Sequence, residues 1–338
     1  MAMTIYDISK KAGVSIATVS RVLNDSENVR PSTRKKVMDV IDKYDYTPNA
    51  FARGMGLHSL KTIGILCADS SDLFLAKAVY FLEQELQANG YESLLCCTGY
   101  NPDIKKNYLN LILSKKVDSI ILVGSHFIGS TEDENQYIKD VSTQVPIMLL
   151  NASFDHPNVY STLCDDYGTM FEAATETIQS GITDILYLYD SKSYSGLKKL
   201  HGFCDAMKEH NIPGFEKLIH FYDGNIEHLD EVANFVAHIA KKGTPFHAIM
   251  TSDDSLAIGS IKYAQKKGIR IPEDLSVMGY NNSMLTNCCT PELTSVDNRL
   301  ETQTHQLVQT LLGVLAGEEM PKKSIFSGKI IKRGTTLF

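Results

Sequence analysis

Eight short β-rich runs alternate with helical patterns from residue 61 onward, and this alternation constrains the fold most strongly. The runs are TIGILCA, ESLLCCTG, DSIILVG, PIMLLN, DILYLYD, KLIHFYD, HAIMTS and LSVMGY. Strands joined by crossover helices lie parallel, so the pattern predicts an α/β body of parallel sheets. One eight-unit barrel is conceivable, but the irregular YSTLCDDYGTM after the fourth run favours two open sheets with a cleft between them.

The first sixty residues carry a different, helical pattern. Thr4 is a good N-cap for a short amphipathic helix that ends at Gly13, where a glycine permits a tight turn. Ser15 is placed to cap a second helix, whose inward face consists of Val19, Val22 and Leu23. Two short helices joined by a turn that contains glycine predict a helix-turn-helix.

A third helix is predicted over roughly residues 32–44, with outward-facing basic residues Arg34, Lys35 and Lys36. The segment YTPNAFARGMG follows, and Asn49 can cap a short helix there that runs through Met55. Glycines flank Met55, and each interior glycine destabilises a helix by about 1 kcal/mol relative to alanine. We therefore expect this hinge helix to form on binding DNA.

Charge is divided unevenly along a chain whose formal net charge is -7. Residues 1–60 hold 9 lysines and arginines against 6 acidic residues, whereas the remaining 278 residues hold 24 against 34. Only residues 1–60 have a net positive charge, which attracts phosphates. The pattern predicts a basic segment that binds nucleic acid on an acidic body.

Several classes of protein are disfavoured by what the sequence lacks. No apolar run approaches the length of a membrane helix and no signal peptide is evident, which predicts a cytoplasmic protein without a membrane partner. The seven cysteines form neither a C-x-x-C pair nor a zinc spacing, so neither a metal nor another cofactor is expected. The pair Cys96-Cys97 lies in an apolar run and is predicted to be buried and reduced. Nucleophile-elbow, Walker and dinucleotide motifs are missing, which argues against an enzyme.

The N-terminal segment resembles that of the lactose-repressor (LacI/GalR) family of bacterial transcription regulators. The resemblance rests on IYDISKKAGVSIATVSRVLN and YTPNAFARGM, and it continues through SIKYAQKKGIRIPEDLSVMGYNN. It implies DNA base contacts by Ile16, Ala17 and Arg21, and insertion of Met55 into the minor groove, where leucine is usual. The positions that match the family's phosphate contacts are Thr4, Tyr6, Ser15, Thr18, Ser20 and Asn24.

The resemblance also implies a domain plan. Residues 1–47 form the helix-turn-helix headpiece and residues 48–60 form the hinge helix and linker. The body is a two-lobed, periplasmic-binding-protein-like fold of doubly wound parallel sheets. Its N-terminal effector-binding lobe comprises 61–162 with 291–322, and its C-terminal effector-binding lobe comprises 163–290 with 323–338.

Candidate effector ligands follow the strands of the body, because ligands of open α/β sheets bind at the carboxyl ends of strands. The polar residues at these ends are Ser70, Asn151, Asp190, Asp253 and Asn281. Phe74 is placed to stack on a sugar or base, and Asp254 is expected to cap the following helix. By resemblance, Lys199 replaces a usual effector-binding arginine, Asp253 replaces asparagine and Asn281 replaces aspartate.

These features predict a ligand-responsive regulator, a repressor, that binds a palindromic operator in double-stranded DNA as a homodimer. Its small-molecule effector is expected to be a sugar or sugar derivative. The alternative is a solute-binding protein of a sugar transport system, which would share the two-lobed body but would need no basic headpiece. An enzyme on a doubly wound sheet would need a nucleophile or a cofactor loop.

Overall fold

The computed structural model describes residues 3–23, 26, 28–46 and 59–337. The chain separates into two compact units, of which the first contains residues up to Thr62 together with Lys116–Asp118, and the second contains the rest. The predicted contacts of Asn24 and Met55, and the predicted hinge helix, lie outside the described residues.

Three helices form the headpiece: α1 (Ile5–Ala12), α2 (Ile16–Leu23) and α3 (Pro31–Lys43). They enclose a small core of buried apolar side chains: Ile8, Ala12, Val19, Val22, Val29, Val37, Ile41 and Tyr46. The predicted helix-turn-helix is therefore present, and its spacing of apolar residues produces the core expected from the sequence.

Caps define the helix ends as the sequence predicted. The Thr4 hydroxyl accepts from the Asp7 backbone N–H at 3.4 Å and Asp7 accepts from the Thr4 N–H at 3.0 Å, which completes a capping box at α1. Gly13 ends α1 with a φ of 62°. The Ser15 hydroxyl accepts from the Thr18 N–H at 3.1 Å at the start of α2. Arg34 was expected to face outward, but it is partly buried and donates to the Ser26 carbonyl at 2.7 Å.

Two six-stranded sheets build the body. The strands are β1 (Thr62–Cys67), β2 (Glu92–Cys97), β3 (Ser119–Val123), β4 (Ile147–Leu150), β5 (Val159–Cys164), β6 (Ile185–Tyr189), β7 (Ile219–Phe221), β8 (Ala248–Thr251), β9 (Ser276–Tyr280), β10 (Thr294–Asp297), β11 (Lys323–Phe326) and β12 (Lys329–Ile331). The first sheet has the order β11-β5-β4-β3-β1-β2 and the second has the order β12-β10-β9-β8-β6-β7.

Helices of the body connect these strands and cover the sheets. They are α4 (Leu73–Ala88), α5 (Pro102–Ser114), α6 (Gln136–Ser142), α7 (Asp166–Gln179), α8 (Tyr194–Glu209), α9 (Leu229–Lys241), α10 (Asp254–Lys267) and α11 (Leu300–Leu315). Buried residues of α4 and α11 pack against the first sheet, while α7 with α8, and α9 with α10, cover opposite faces of the second. In the first sheet the pairs from β11 through β5, β4 and β3 to β1 are parallel. In the second sheet pairing is parallel except between β10 and β12, which pair antiparallel.

The predicted lobe boundaries differ from the observed ones. The sequence-based plan placed 291–322 in the N-terminal lobe, but Thr294–Asp297 is a strand of the second sheet. It placed 323–338 in the C-terminal lobe, but Lys323–Phe326 pairs with β5 in the first sheet. The segment YSTLC, which the sequence predicted to be irregular, belongs to β5. Short strands next to crossovers have too few residues to display a clear period.

The prediction that Cys96 and Cys97 are buried is wrong. Both belong to β2, which lies at the edge of the first sheet, where Cys96 is half-buried and Cys97 is exposed. Leu94 and Leu95 of the same strand are 39% and 43% exposed. An apolar run predicts burial, but an edge strand has a neighbour on one side only.

Candidate functional site

The first candidate site is the outer face of α2 in the headpiece. Val19 and Val22 of this helix are buried, whereas Ile16, Ala17 and Arg21 are exposed on the opposite face. The three residues predicted to contact bases therefore share one accessible surface. An arginine in this position has the donor geometry that pairs bidentately with guanine, while the other two offer apolar contacts.

A polar concavity of about 430 Å³ lies beside this face and brings together more of the predicted DNA contacts. It is lined by Val14, Ser15, Thr18, Arg21, Asn28, Val29, Arg30 and Thr33. Sequence reasoning missed Asn28, Arg30 and Thr33, although the basic Arg30 directly before Pro31 was an available indication. The group combines hydroxyls and guanidinium groups, which are the side chains that usually contact phosphates.

The remaining headpiece residues predicted to contact phosphates are placed differently. Tyr6 is 63% exposed on α1, and Ser20 is partly buried on α2. Thr4 is exposed, and its hydroxyl lies 2.6 Å from Asp7 Oδ2 within the capping box. A DNA phosphate that binds the Thr4 hydroxyl would therefore contact a group that already caps α1.

The second candidate site is a cavity of about 90 Å³ between the two sheets of the body, which we call the inner cavity. Six of the seven predicted effector ligands line it: Phe74, Asn151, Asp190, Lys199, Asp253 and Asn281. Ser70 does not line it and is exposed to solvent. The polar residue contributed after β1 is instead Asp72, whose carboxylate caps α4 by accepting from the Leu75 N–H at 2.7 Å.

Lys199 is buried at the base of the inner cavity. Its Nζ donates to the Ser252 carbonyl at 3.0 Å and lies 3.8 Å from the centroid of the Tyr280 ring. Burial raises the pKa of the neighbouring Asp166, and the Lys199 charge opposes that shift. Asp166 also accepts from Tyr280 at 2.6 Å. Lys199 is thus largely engaged with the protein itself.

Asp253 and Asn281, which also line the inner cavity, form part of a hydrogen-bonded chain. Asn281 Nδ2 donates to Asp253 Oδ2 at 2.8 Å, and Asn298 Nδ2 donates to Asn281 Oδ1 at 3.0 Å. Asp253 also caps α10 by accepting from the Ser255 N–H at 2.7 Å. Burial raises the pKa of Asp253 to about 7, and the charges of Asp190 and Asp254 add to the shift.

The cap of α10 was assigned to the wrong residue. The sequence-based prediction gave the capping role to Asp254, but Asp253 is the cap and Asp254 is the first residue of the helix. Asp254 is buried, where it accepts from the Ser283 N–H and from the Ser295 hydroxyl, both at 2.6 Å. Burial raises the pKa of Asp254 to about 6. Two adjacent aspartates in one loop cannot be distinguished by sequence when both can cap.

Several lining residues were not predicted. Those with polar side chains are Asp72, Tyr100, Ser125, His126, Ser191, Ser193, Ser195 and Ser252. Ser193 accepts from the hydroxyls of Ser125 and Ser191, each at 2.8 Å, and so joins the two lobes. Burial lowers the pKa of His126, and Lys105 adds to that shift. Most of these residues lie between a strand and the next long helix, and Ser195 lies in the first turn of α8. Sequence periodicity does not indicate a ligand contact at such positions.

The two sites define a class of protein: a helix-turn-helix regulator whose body contains a ligand cavity. The family model "Bacterial regulatory proteins, lacI family" matches residues 4–49, and the model "Periplasmic binding protein-like domain" matches residues 174–336. A Lachnoclostridium phytofermentans protein named HTH-type transcriptional regulator is 50% identical over 99% of this chain and 100% of its own length.

Other comparisons agree. Catabolite control protein A of Priestia megaterium is 33% identical over 88% of this chain and 87% of that protein. The crystal structure of the Lac repressor dimer bound to operator has the same fold, with a TM-score of 0.88 at 21% identity over 100% of both chains. The chain belongs to the LacI family of bacterial regulatory proteins. It is a DNA-binding transcriptional regulator.

Two kinds of feature are absent from the described part of the chain. Within it, no helix is both long and apolar enough to cross a membrane. In the same residues, no three or more His, Cys, Asp or Glu side chains are grouped so as to hold a metal ion.

Proposed function

We propose that the protein is a repressor that binds a palindromic operator as a homodimer and senses a small hydroxylated metabolite, a carbohydrate, in the inner cavity. One observation carries the proposal. The same chain combines a helix-turn-helix exposing Ile16, Ala17 and Arg21 with a polar cavity between two lobes. A single helix-turn-helix buries little surface on DNA, and twofold proteins read twofold sites, so we infer a dimer.

On DNA, Arg21 reads a guanine while Ile16 and Ala17 contact thymine methyl groups. Met55 inserts into the minor groove. The phosphate contacts come from Thr4, Tyr6, Ser15, Thr18, Ser20 and Asn24. Arg30 and Thr33 join this set because they share the concavity with Ser15 and Arg21.

In the body, the effector binds between the lobe built on the first sheet and the lobe built on the second. Phe74 stacks on a ring face, and the polar ligands are Asn151, Asp190, Lys199, Asp253 and Asn281. Ser70 is not included, since it lies outside the lining. The protein performs no catalysis in this scheme, and a repressor of bacterial genes acts in the cytoplasm. The solute-transport alternative leaves the headpiece without a role.

A selection experiment tests the DNA-binding half of the proposal. The full chain is incubated with a pool of randomised duplexes, and the bound fraction is amplified and sequenced over successive rounds. We expect an inverted repeat to be enriched, with a half-site that contains a guanine read by Arg21. Enrichment of a single half-site, or of no sequence, would count against a dimeric repressor.

A further inference from the structure

The inner cavity opens into a larger space of about 670 Å³, which we call the outer chamber. The two share lining residues that include Asp72, Tyr100, Asp190 and Asp253. Six acidic side chains line the outer chamber: Asp69, Asp72, Asp190, Asp223, Glu227 and Asp253. Lysine and arginine are absent from its described lining. The chamber is therefore strongly electronegative.

Lys199, the one cation in the lining of the inner cavity, does not offset this charge. Lys199 is 7% exposed. Its ammonium donates to the Ser252 carbonyl and lies close to the ring of Tyr280. Its charge acts on the buried Asp166, which stands behind the cavity wall. Lys192 lies beside the outer chamber, 4.7 Å from the centroid of the Phe221 ring, but does not line it.

Among the three carboxylates that line both the inner cavity and the outer chamber, Asp72, Asp190 and Asp253, Asp190 is the most available to a ligand. Asp72 accepts from the backbone N–H groups of Leu75 and Phe74 at the start of α4. Both oxygens of Asp253 accept a hydrogen bond, one from the Ser255 N–H and one from Asn281 Nδ2. Asp190 accepts one hydrogen bond, from the Ser252 hydroxyl at 2.7 Å, and no other is seen among the residues that the structure describes. A carboxylate has about four acceptor positions, so Asp190 retains most of its capacity.

The three shared carboxylates are close enough to repel one another. The charge of Asp190 raises the pKa of Asp72 and of Asp253, in each case after the larger effect of burial. A cation placed among the three would relieve this repulsion. A neutral ligand would leave it in place.

Other features of the lining suit a sugar ring. Hydroxyls of Ser125, Ser191 and Ser193 form a chain at one end of the inner cavity. Tyr100, which packs edge-on against His126 at 4.8 Å between centroids, and Phe221 supply aromatic surface in the chamber. A ligand with several hydroxyls and an apolar ring face would match these groups.

We infer that the effector is an amino sugar, in which an unacetylated ammonium group binds Asp190 and the hydroxyls bind the serines and Asn151. This inference rests on the proposed function, because it names the ligand class of the same cavity. The extended outer chamber further fits more than one sugar unit, so a disaccharide of glucosamine is the appropriate probe. The ammonium forms a charge-assisted hydrogen bond, which is stronger than a bond between neutral groups.

Three disaccharides that differ only in the substituent at C2 of each sugar ring test this inference by isothermal titration calorimetry on the full chain. They are the β-1,4-linked dimer of glucosamine, its N-acetylated counterpart and cellobiose, which carry ammonium, amide and hydroxyl groups in turn. We expect the glucosamine dimer to bind at least about tenfold more tightly than cellobiose, as one charge-assisted bond implies. Equal or tighter binding of cellobiose, or of the acetylated dimer, would overturn the inference.

The variant Asp190→Asn keeps the shape of the side chain and removes its charge. We expect it to weaken binding of the glucosamine dimer by at least about tenfold and to change cellobiose affinity by less than about threefold. Glu227→Gln, at the outer chamber, should weaken the glucosamine dimer by a smaller factor, and the exposed Asp155→Asn should leave it unchanged. Equal losses for charged and neutral disaccharides in Asp190→Asn would overturn the assignment.

Operator binding distinguishes this inference from the proposed function. If none of the three disaccharides binds while the protein still selects an inverted repeat, the amino-sugar inference fails and the repressor proposal stands. If the glucosamine dimer binds but no operator is selected, the ligand inference stands and the repressor proposal fails.

Discussion

Asn281 Nδ2 donates to Asp253 Oδ2 at 2.8 Å, so an amide and a carboxylate are paired on the wall of the inner cavity. The amide stabilises the ionised carboxylate, but burial and the charge of Asp190 oppose ionisation more strongly. Asp253 is consequently a carboxyl group that titrates near neutral pH, and its effect on stability can be measured.

We predict that Asp253→Asn changes how stability depends on pH. The pKa of Asp253 is raised to about 7 in the folded protein and is about 3.9 in an unfolded chain, so the folded state binds the extra proton between these values. This group therefore lowers the free energy of unfolding as pH rises from about 4 to about 7. Asparagine keeps the helix cap without titrating.

Thermal unfolding at pH 5 and at pH 8 checks this prediction. The Tm of Asp253→Asn minus the Tm of the unmodified protein should increase between the two pH values. Asp155→Asn, at an exposed position, is the matched control and should give a constant difference. If the Tm of Asp253→Asn and the Tm of the unmodified protein changed equally between pH 5 and pH 8, the pKa of Asp253 would not be raised.

Lys199 is predicted to stabilise the fold more than it serves the ligand. Lys199→Met removes the ammonium that bonds the Ser252 carbonyl and that faces the buried Asp166. Loss of a hydrogen bond from a charged donor, which removes this partner of the Ser252 carbonyl, destabilises by about 1–3 kcal/mol. Denaturant unfolding of Lys199→Met should give a loss of that order, whereas the exposed neighbour Lys198→Met should be nearly neutral. A Lys199→Met variant that is as stable as the unmodified protein but binds effector more weakly would show that Lys199 serves the ligand more than the fold.

Arg21 is predicted to carry sequence discrimination in the headpiece. Arg21→Ala should weaken operator binding by about 1–3 kcal/mol and relax preference at one base step in each half-site. Lys36→Ala, on the exposed side of α3, should weaken binding less and equally for all sequences. Fluorescence anisotropy with operator and with random duplex measures both effects. If Arg21→Ala lost equal affinity for the operator and for the random duplex, Arg21 would contact the phosphate backbone and not a base.

Parts of this molecule were predictable from sequence because periodicity and capping chemistry are local. The helix-turn-helix followed from Thr4, Gly13 and Ser15 at the helix ends and from the apolar spacing between them. Six cavity residues followed from their positions after strands and from family resemblance.

Tertiary contacts account for what could not be predicted. Asp72 and Ser70 lie two residues apart in one loop, and only the course of the chain decides which faces the cavity. Cys97 is exposed because β2 is an edge strand, and strand order is not encoded in a single run of residues. The serine chain from Ser125 to Ser191 joins two lobes that are distant in sequence.

The proposed repressor requires that ligand binding in the inner cavity and DNA binding by the headpiece are linked. Operator affinity is measured by fluorescence anisotropy on the full chain, without ligand and with the glucosamine dimer at saturation. We predict that the ligand changes operator affinity by at least about fivefold, and that operator changes ligand affinity by the same factor, as linkage requires. Identical operator affinity with and without saturating ligand would show that the two binding events are not linked.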